Sequence, residues 1–248
     1  MDEEVETSEW WALCSMAAGK MPANVDAPRG ELWRCYAPIA EAQSIVLGQL
    51  GQSLDGRTAT SSGDSCYVNG REGLVHVHRL RALVDAVVVG VGTAVADDPL
   101  LTVRHVEGAS PARVIVDPHG RLPNTAKVFS PGVRRIALQC EWRPRPPGVE
   151  TVVLPVRDGV FEPSAIVHAL ASLGLHRLLI EGGAKTISGF LAAGVLDRLH
   201  LCVAPLLIGS GPHGLLLPCV ARLDQAIRPP TATYRLGSDV LFDLDLRR

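Results

Sequence analysis

Seven short apolar runs, separated by polar or amphipathic stretches, constrain what this chain can fold into. They are "SIVLGQL", "DAVVVGVG", "ARVIVD", "RRIALQ", "TVVLPV", "LHRLLIE" and "RLHLCVAPLLIG". Each is strand-length and several are β-branched, as expected of strands buried on both faces. Between them lie helical patterns. In "REGLVHVHRLRALV", Leu74, Val77, Leu80 and Val84 recur at helical spacing. In "FEPSAIVHALASLG", Pro163 opens a helix, Gly174 stops it, and Ile166, Val167, Leu170 and Leu173 form its apolar face. "GAKTISGFLAAG" turns Ile187, Phe190 and Leu191 inward, with Gly194 as cap. Alternation of this kind predicts an α/β fold with a mostly parallel central sheet and flanking helices. "ATYRL" and "SDVLFDLDL" flank Gly237 and predict an antiparallel C-terminal edge. Residues 41–248 read as one domain. Residues 1–40 read as an N-terminal extension, with a short helix in "WWALCSMAA" and a Pro/Gly-containing "MPANVDAPRG".

Bulk properties exclude several function classes. A formal net charge of -2 gives no basis for nucleic-acid binding, and 4% aromatics supply few base-stacking platforms. No apolar run approaches the ~20 residues of a membrane span. The acidic start "MDEEVETSE" is unlike a signal peptide. Six cysteines without C-x-x-C spacing read as reduced thiols of a cytoplasmic protein. His76 and His78, two apart on a helix, point in different directions, so no metal site is predicted.

Three segments could carry chemistry. In "VVVGVGTAVADDP", Gly90 and Gly92 begin a dinucleotide fingerprint, but Val95 breaks it and Pro99 follows, so a strand-to-loop turn is predicted. Asp97 and Asp98 there are turn formers, or one points into a cleft. In "LLIEGGAKTISGF", Glu181 ends a strand and Gly182 and Gly183 open a helix. That turn either takes a phosphate on its amides, with Lys185 and Thr186 beside it, or is simply tight. The long polar loop "SLDGRTATSSGDS" carries Asp55, Arg57, Asp64 and Ser65. Arg79, Arg81 and Arg104 are candidates for a substrate phosphate.

Taken in order, "SLDGRTATSSGDS", "RLRALVDAVVVGVGTAVADDPLLTVR", "ARVIVDPHGRLP", "LLIEGGA" and "LAAGVLDRLHLCVAPLLIGSG" resemble the reductase domain of riboflavin biosynthesis, from about Gly48 to Gly211. The resemblance implies a dihydrofolate-reductase-like fold, a homodimer, and NADPH-dependent reduction of a phosphoribosylamino-pyrimidine to the ribitylamino product. It implies cofactor contacts from Tyr67, Thr93, Asp97, Gly183, Ala184, Lys185, Thr186, Ile187, Ser188 and Gly189. It implies substrate contacts from Ser65, Arg81, Leu101, Arg104 and Glu181. Glu181 is the first candidate to orient or protonate the reacting end, and Asp97 the second. His119 or Arg121 is the candidate for the cofactor 2′-phosphate. Gln49 stands where many members carry lysine, which keeps two alternatives in view: a reductase of a pteridine or secondary-metabolite precursor, and a non-catalytic NADP-binding homologue. No zinc-deaminase signature precedes the domain, so a separate deaminase would supply the substrate.

Overall fold

The computed structural model describes residues 3–20 and 30–247. Most of "MPANVDAPRG" lies outside the described residues. Two helices come first, α1 (Glu3–Ala17) and α2 (Glu31–Ala40). Then follow β1 (Ile45–Ser53), α3 (Arg71–Leu83), β2 (Ala86–Gly90), α4 (Val91–Asp97), β3 (Ala112–Val116), β4 (Arg135–Gln139) and β5 (Val149–Val153). The chain continues with α5 (Pro163–Ser172), β6 (Arg177–Glu181), α6 (Ala184–Ala192), β7 (Arg198–Ala204), β8 (Thr231–Leu236) and β9 (Asp239–Asp245). The strands form one sheet in the order β5-β4-β3-β2-β6-β1-β7-β9-β8. β5 through β7 are parallel, while β9 runs antiparallel to both β7 and β8. This is the mostly parallel α/β sheet with an antiparallel C-terminal edge that the sequence predicts.

Side chains alternate across each strand, so the apolar runs feed two cores. Val87 and Val89 face α1–α3, packing in one cluster with Leu13, Trp33, Ile39, Leu80 and Leu83. Ala86 and Val88 face α5 and α6, with Ile166, Leu170, Ile187 and Phe190. Complete burial of a valine is worth about 1.5–3 kcal/mol. That exceeds the ~1 kcal/mol span of strand propensity, so burial on both faces sets these central strands.

Three sequence expectations change. The "VVVGVGTAVADDP" segment is a strand followed by the short helix α4, not a strand-to-loop turn. Pro99 restricts only the residue before it. The helix therefore runs to Asp97 and stops at Asp98, which adopts φ +40°. On α3 the predicted apolar stripe divides. Leu80 is buried, whereas Leu74 and Val77 line an open cleft, and His76, His78 and Arg81 take the inward positions. The N-terminal helix is longer than "WWALCSMAA" and is joined by α2. Its tryptophans diverge: Trp10 is buried and donates its indole N–H to the Glu107 carbonyl at 2.9 Å, while Trp11 is half exposed.

One carboxylate levels the strands that carry the site. Asp85, just before β2, accepts the His176 and Arg177 amides at 2.9 and 2.8 Å and also binds the Arg177 guanidinium. This fixes β2 beside β6 with Val89 opposite Glu181, so both strands end at the same height. Ligands of open α/β sheets bind outside such carboxyl ends.

Candidate active site

Beyond the ends of β1, β2 and β6 lies a cleft of about 1800 Å³. Small-molecule pockets commonly occupy roughly 300–1,000 Å³, so this one has room for two ligands side by side. Its floor is made by two interlocked strand-to-helix turns. The Gly183 amide donates to Thr93 Oγ1 at 2.7 Å. A Cβ on Gly182, whose φ is +105°, would fall 2.8 Å from that oxygen. A Cβ on Gly90 would fall 2.5 Å from Thr186 Oγ1. Glycine is required so that the β2–α4 and β6–α6 turns can touch. α6 begins at Ala184 with Gly183 as its side-chain-free cap. The Ala184 and Lys185 amides, first in the helix, have no intrahelical acceptor, and both residues line the cleft. That open helix start suits a diphosphate.

Of the predicted cofactor contacts, Tyr67, Thr93, Asp97, Gly183, Ala184, Lys185, Thr186, Ser188 and Gly189 all line this cleft, as does Ser65 from the substrate set. Ile187 does not, because its side chain is wholly buried in the core between α6 and the sheet, and Arg81, Leu101, Arg104 and Glu181 of the substrate set are not among the lining residues. Asp97 remains accessible, yet the surrounding protein removes enough water to raise its carboxyl above the ordinary range. Asp98 is instead a turn former, accepting the Lys127 amide at 2.8 Å.

Glu181 and Arg81 form a buried, two-pronged ion pair. Nε and Nη2 of Arg81 donate to the two carboxylate oxygens at 2.7 and 2.6 Å, and Nη1 donates to the Thr102 carbonyl at 3.2 Å. Their exposures are 9% and 6%. Burial alone would depress the Arg81 pKa, but the adjoining carboxylate reverses this and raises it. Glu181 is thus held as an oriented carboxylate, and Arg81 is already engaged. Arg104 lies exposed nearby, its Nη1 donating to Thr102 Oγ1 at 2.7 Å. Its amide donates to Nδ1 of the buried His78 at 2.9 Å. Burial, followed by the charges of Arg81, His105 and Arg104, pushes His78 down to about 3. The imidazole is neutral at pH 7, which lets two guanidinium groups share this corner. Leu101 is 2% exposed at φ +53° and packs in the core.

Two carboxylates that the sequence did not single out as anchors hold the cleft walls. Asp55 accepts the Ser53 hydroxyl at 2.6 Å and the Ile208 and Gly209 amides at 3.1 and 2.6 Å. It ties the "SLDGRTATSSGDS" loop to the segment after β7. Those bonds, the Ser53 hydroxyl first, pull its pKa down to about 2. An unfolded aspartate titrates near ~3.9. The stabilisation is therefore complete above about pH 4 and is lost as pH falls through about 2. Urea midpoints of wild type and Asp55→Asn should differ by a constant amount from pH 5 to 7 and converge below pH 4. The second anchor, Asp117 at the end of β3, accepts the Arg121 and Leu122 amides at 2.9 Å each and Arg145 Nη2 at 2.7 Å. The pinned turn presents His119 and Arg121 to the cleft. "VIVDPHGR" carries a signal for this, an acid at a strand end before Pro-His-Gly.

A sequence profile described as the RibD C-terminal domain matches residues 45–218, from the start of β1 through the segment tied down by Asp55. The chain belongs to this family. The RibD C-terminal domain here leaves α1, α2, β8 and β9 outside the matched range. It is 32% identical over 217 residues to the 2,5-diamino-6-ribosylamino-4(3H)-pyrimidinone 5′-phosphate reductase of Methanothermobacter thermautotrophicus, covering 82% of this chain and 98% of that one. It is 29% identical to the riboflavin biosynthesis protein RibD of Actinobacillus pleuropneumoniae, over 83% of this chain and 57% of the relative. A crystal structure of the diaminohydroxyphosphoribosylaminopyrimidine deaminase/5-amino-6-(5-phosphoribosylamino)uracil reductase of Thermotoga maritima superposes with a TM-score of 0.71 at 26% identity, over 87% of this chain and 60% of that chain. The chain thus spans about three fifths of the last two. The protein is an oxidoreductase of the riboflavin-pathway pyrimidine reductase type. No helix among the described residues is long and apolar enough to cross a membrane.

Proposed function

We propose that this RibD C-terminal domain is an NADPH-dependent reductase that converts 5-amino-6-(5-phosphoribosylamino)uracil to its ribitylamino product. The observation that carries the reading is the pairing of an open α6 start with an oriented carboxylate. Glu181, the last residue of β6, stands between the diphosphate-ready turn and the corner holding Arg81 and Arg104. The substrate reacts with its ribose open and C1′ present as an imine. A nicotinamide held in this cleft would supply the hydride for C1′, and the imine nitrogen would need one proton. Asp97, which lines the cleft and whose pKa desolvation raises, is the proton donor of this reading. Glu181, locked by Arg81, orients the ribityl hydroxyls and stabilises positive charge at the imine. Arg104 holds the substrate phosphate, and Arg81 contributes to the same positive corner.

His119 and Arg121 hold the cofactor 2′-phosphate on the turn pinned by Asp117. Replacing both with alanine should lower the NADPH/NADH preference in kcat/KM by tenfold or more, from loss of charge-assisted bonds worth about 1.5–3 kcal/mol. An unchanged ratio removes this assignment. The homodimer belongs to the same proposal. β8 offers an edge strand bonded on one side only, to β9, and a one-chain mass in sedimentation would remove it.

The reaction is tested by NADPH consumption at 340 nm with the deaminated substrate and with its diamino counterpart. Turnover with the first supports the proposal. Turnover with the diamino compound alone supports a second reading, favoured by the similarity to the archaeal reductase. No turnover with either refutes both, and leaves the pteridine or secondary-metabolite alternative to a wider substrate panel.

A further inference from the structure

On the face of the sheet covered by α1–α3, three potential metal donors converge. They come from three elements: Cys35 on α2, His76 on α3 and His200 on β7. All are buried, with exposures of 4%, 1% and 0%, and their donor atoms lie within 4.8 Å of one another. His76 Nε2 and His200 Nδ1 face each other at 3.1 Å. A polar group also stands at the far side of each imidazole, although the His200 Nε2 contact lacks hydrogen-bond geometry. The Tyr36 hydroxyl lies 2.6 Å from His76 Nδ1, and Asp243 Oδ1 lies 3.2 Å from His200 Nε2. Arg198 fixes Asp243 in turn through bonds of 2.7 and 2.6 Å.

We propose that Cys35, His76 and His200 form a structural zinc site that fastens the N-terminal helices to the reductase body. A thiolate and two imidazoles are the donors of zinc and its late first-row neighbours, whereas calcium and magnesium require oxygen. Zinc–nitrogen bonds of about 2.0–2.1 Å at tetrahedral angles place two nitrogens about 3.3 Å apart, close to the observed 3.1 Å. The matching nitrogen–sulfur separation is about 3.6 Å, so the thiol has at most about 1.2 Å to close, within reach of one side-chain rotation. Zinc-bound histidines characteristically carry a carboxylate or other polar partner on the second nitrogen, as Asp243 and Tyr36 provide. Metal binding would release the proton on the Cys35 sulfur and leave each neutral imidazole its one proton on the nitrogen away from the ion, His76 Nδ1 toward Tyr36 and His200 Nε2 toward Asp243. Residue spacing in the sequence gives no warning of such a site, because the donors lie 41 and 124 positions apart. Cys35, Tyr36 and Asp243 lie outside the range matched by the family profile, and His76 and His200 lie within it.

The test uses the full chain, purified without chelators after growth with zinc and, separately, with cobalt. About one zinc per chain by mass spectrometry is expected. The cobalt protein should show a thiolate-to-cobalt charge-transfer band. Cys35→Ser should lose the charge-transfer band, and Cys202→Ser, altering a buried thiol elsewhere, should retain it. Folded wild-type protein with negligible metal and no cobalt band overturns the proposal. So does a band that survives in Cys35→Ser. Either result leaves Tyr36, His76, His200 and Asp243 as a buried polar cluster without a metal. Wild-type metal content requires no variant to fold, so the proposal stays decidable if Cys35→Ser is unstable.

Discussion

Glu181→Gln should reduce kcat for substrate-dependent NADPH oxidation by a hundredfold or more, the scale on which a positioned catalytic group commonly acts. Glutamine keeps the shape but not the charge, so it neither orients the substrate nor offsets positive charge at the imine. The same change leaves Arg81 9% exposed beside a neutral amide. Breaking a buried pair from one side costs about 3–5 kcal/mol, so the urea midpoint should fall as well. A paired change separates the two effects. Replacing both members with apolar residues, as in Arg81→Met with Glu181→Leu, removes the orphaned charge. Exchange of a whole buried pair is often neutral or stabilising. Stability should then return while activity stays lost. A Glu181→Gln enzyme within a few-fold of wild-type kcat would show that this carboxylate has only a structural part.

Gly182→Ala should raise the KM for NADPH by at least tenfold and change kcat less. At φ +105° a side chain is strained, at a cost of about 1–3 kcal/mol. Its Cβ also falls 2.8 Å from Thr93 Oγ1. The β6–α6 turn must therefore withdraw from the β2–α4 turn, breaking the Gly183–Thr93 hydrogen bond and tilting the first amides of α6. Thr93→Ala should give a smaller effect in the same direction, because it loses the acceptor without forcing the turn apart. Titration of NADPH by intrinsic tryptophan fluorescence measures both. Unaltered affinity in Gly182→Ala would place the diphosphate elsewhere in the cleft.

Most of the fold is legible because burial on both faces leaves a continuous apolar mark on each central strand. "DAVVVGVG" and "LHRLLIE" become β2 and β6 for this reason. Capping chemistry is equally legible at Pro163, Gly174 and Gly194, which stand at the helix boundaries of α5 and α6. The short helix α4 is less legible, because Pro99 stops a helix only at the residue before it and leaves Val91–Asp97 free to coil. The stripe on α3 misled in a different way. Hydrophobic spacing reports an apolar face, but a cleft wall can be apolar too, so Leu74 and Val77 look like core.

The site was partly legible. Glu181 stands out as an acid at a strand end before paired glycines. Its partner Arg81 lies 100 residues earlier, and no local pattern connects them. Local spacing likewise cannot show that Asp55 reaches Ile208 and Gly209, or that Asp117 meets Arg145. These long-range polar contacts decide which charges are free to bind a ligand. They tie Glu181 to Arg81 and leave Arg104 exposed.

Transfer of deuterium from NADPH labelled at nicotinamide C4 tests the central claim most directly. With 5-amino-6-(5-phosphoribosylamino)uracil as substrate and each C4 position labelled in turn, one labelled form should deliver a single deuterium to C1′ of the ribitylamino product. Product free of deuterium from both labelled forms, or cofactor oxidation without a ribitylamino product, would contradict hydride transfer to C1′ in this cleft.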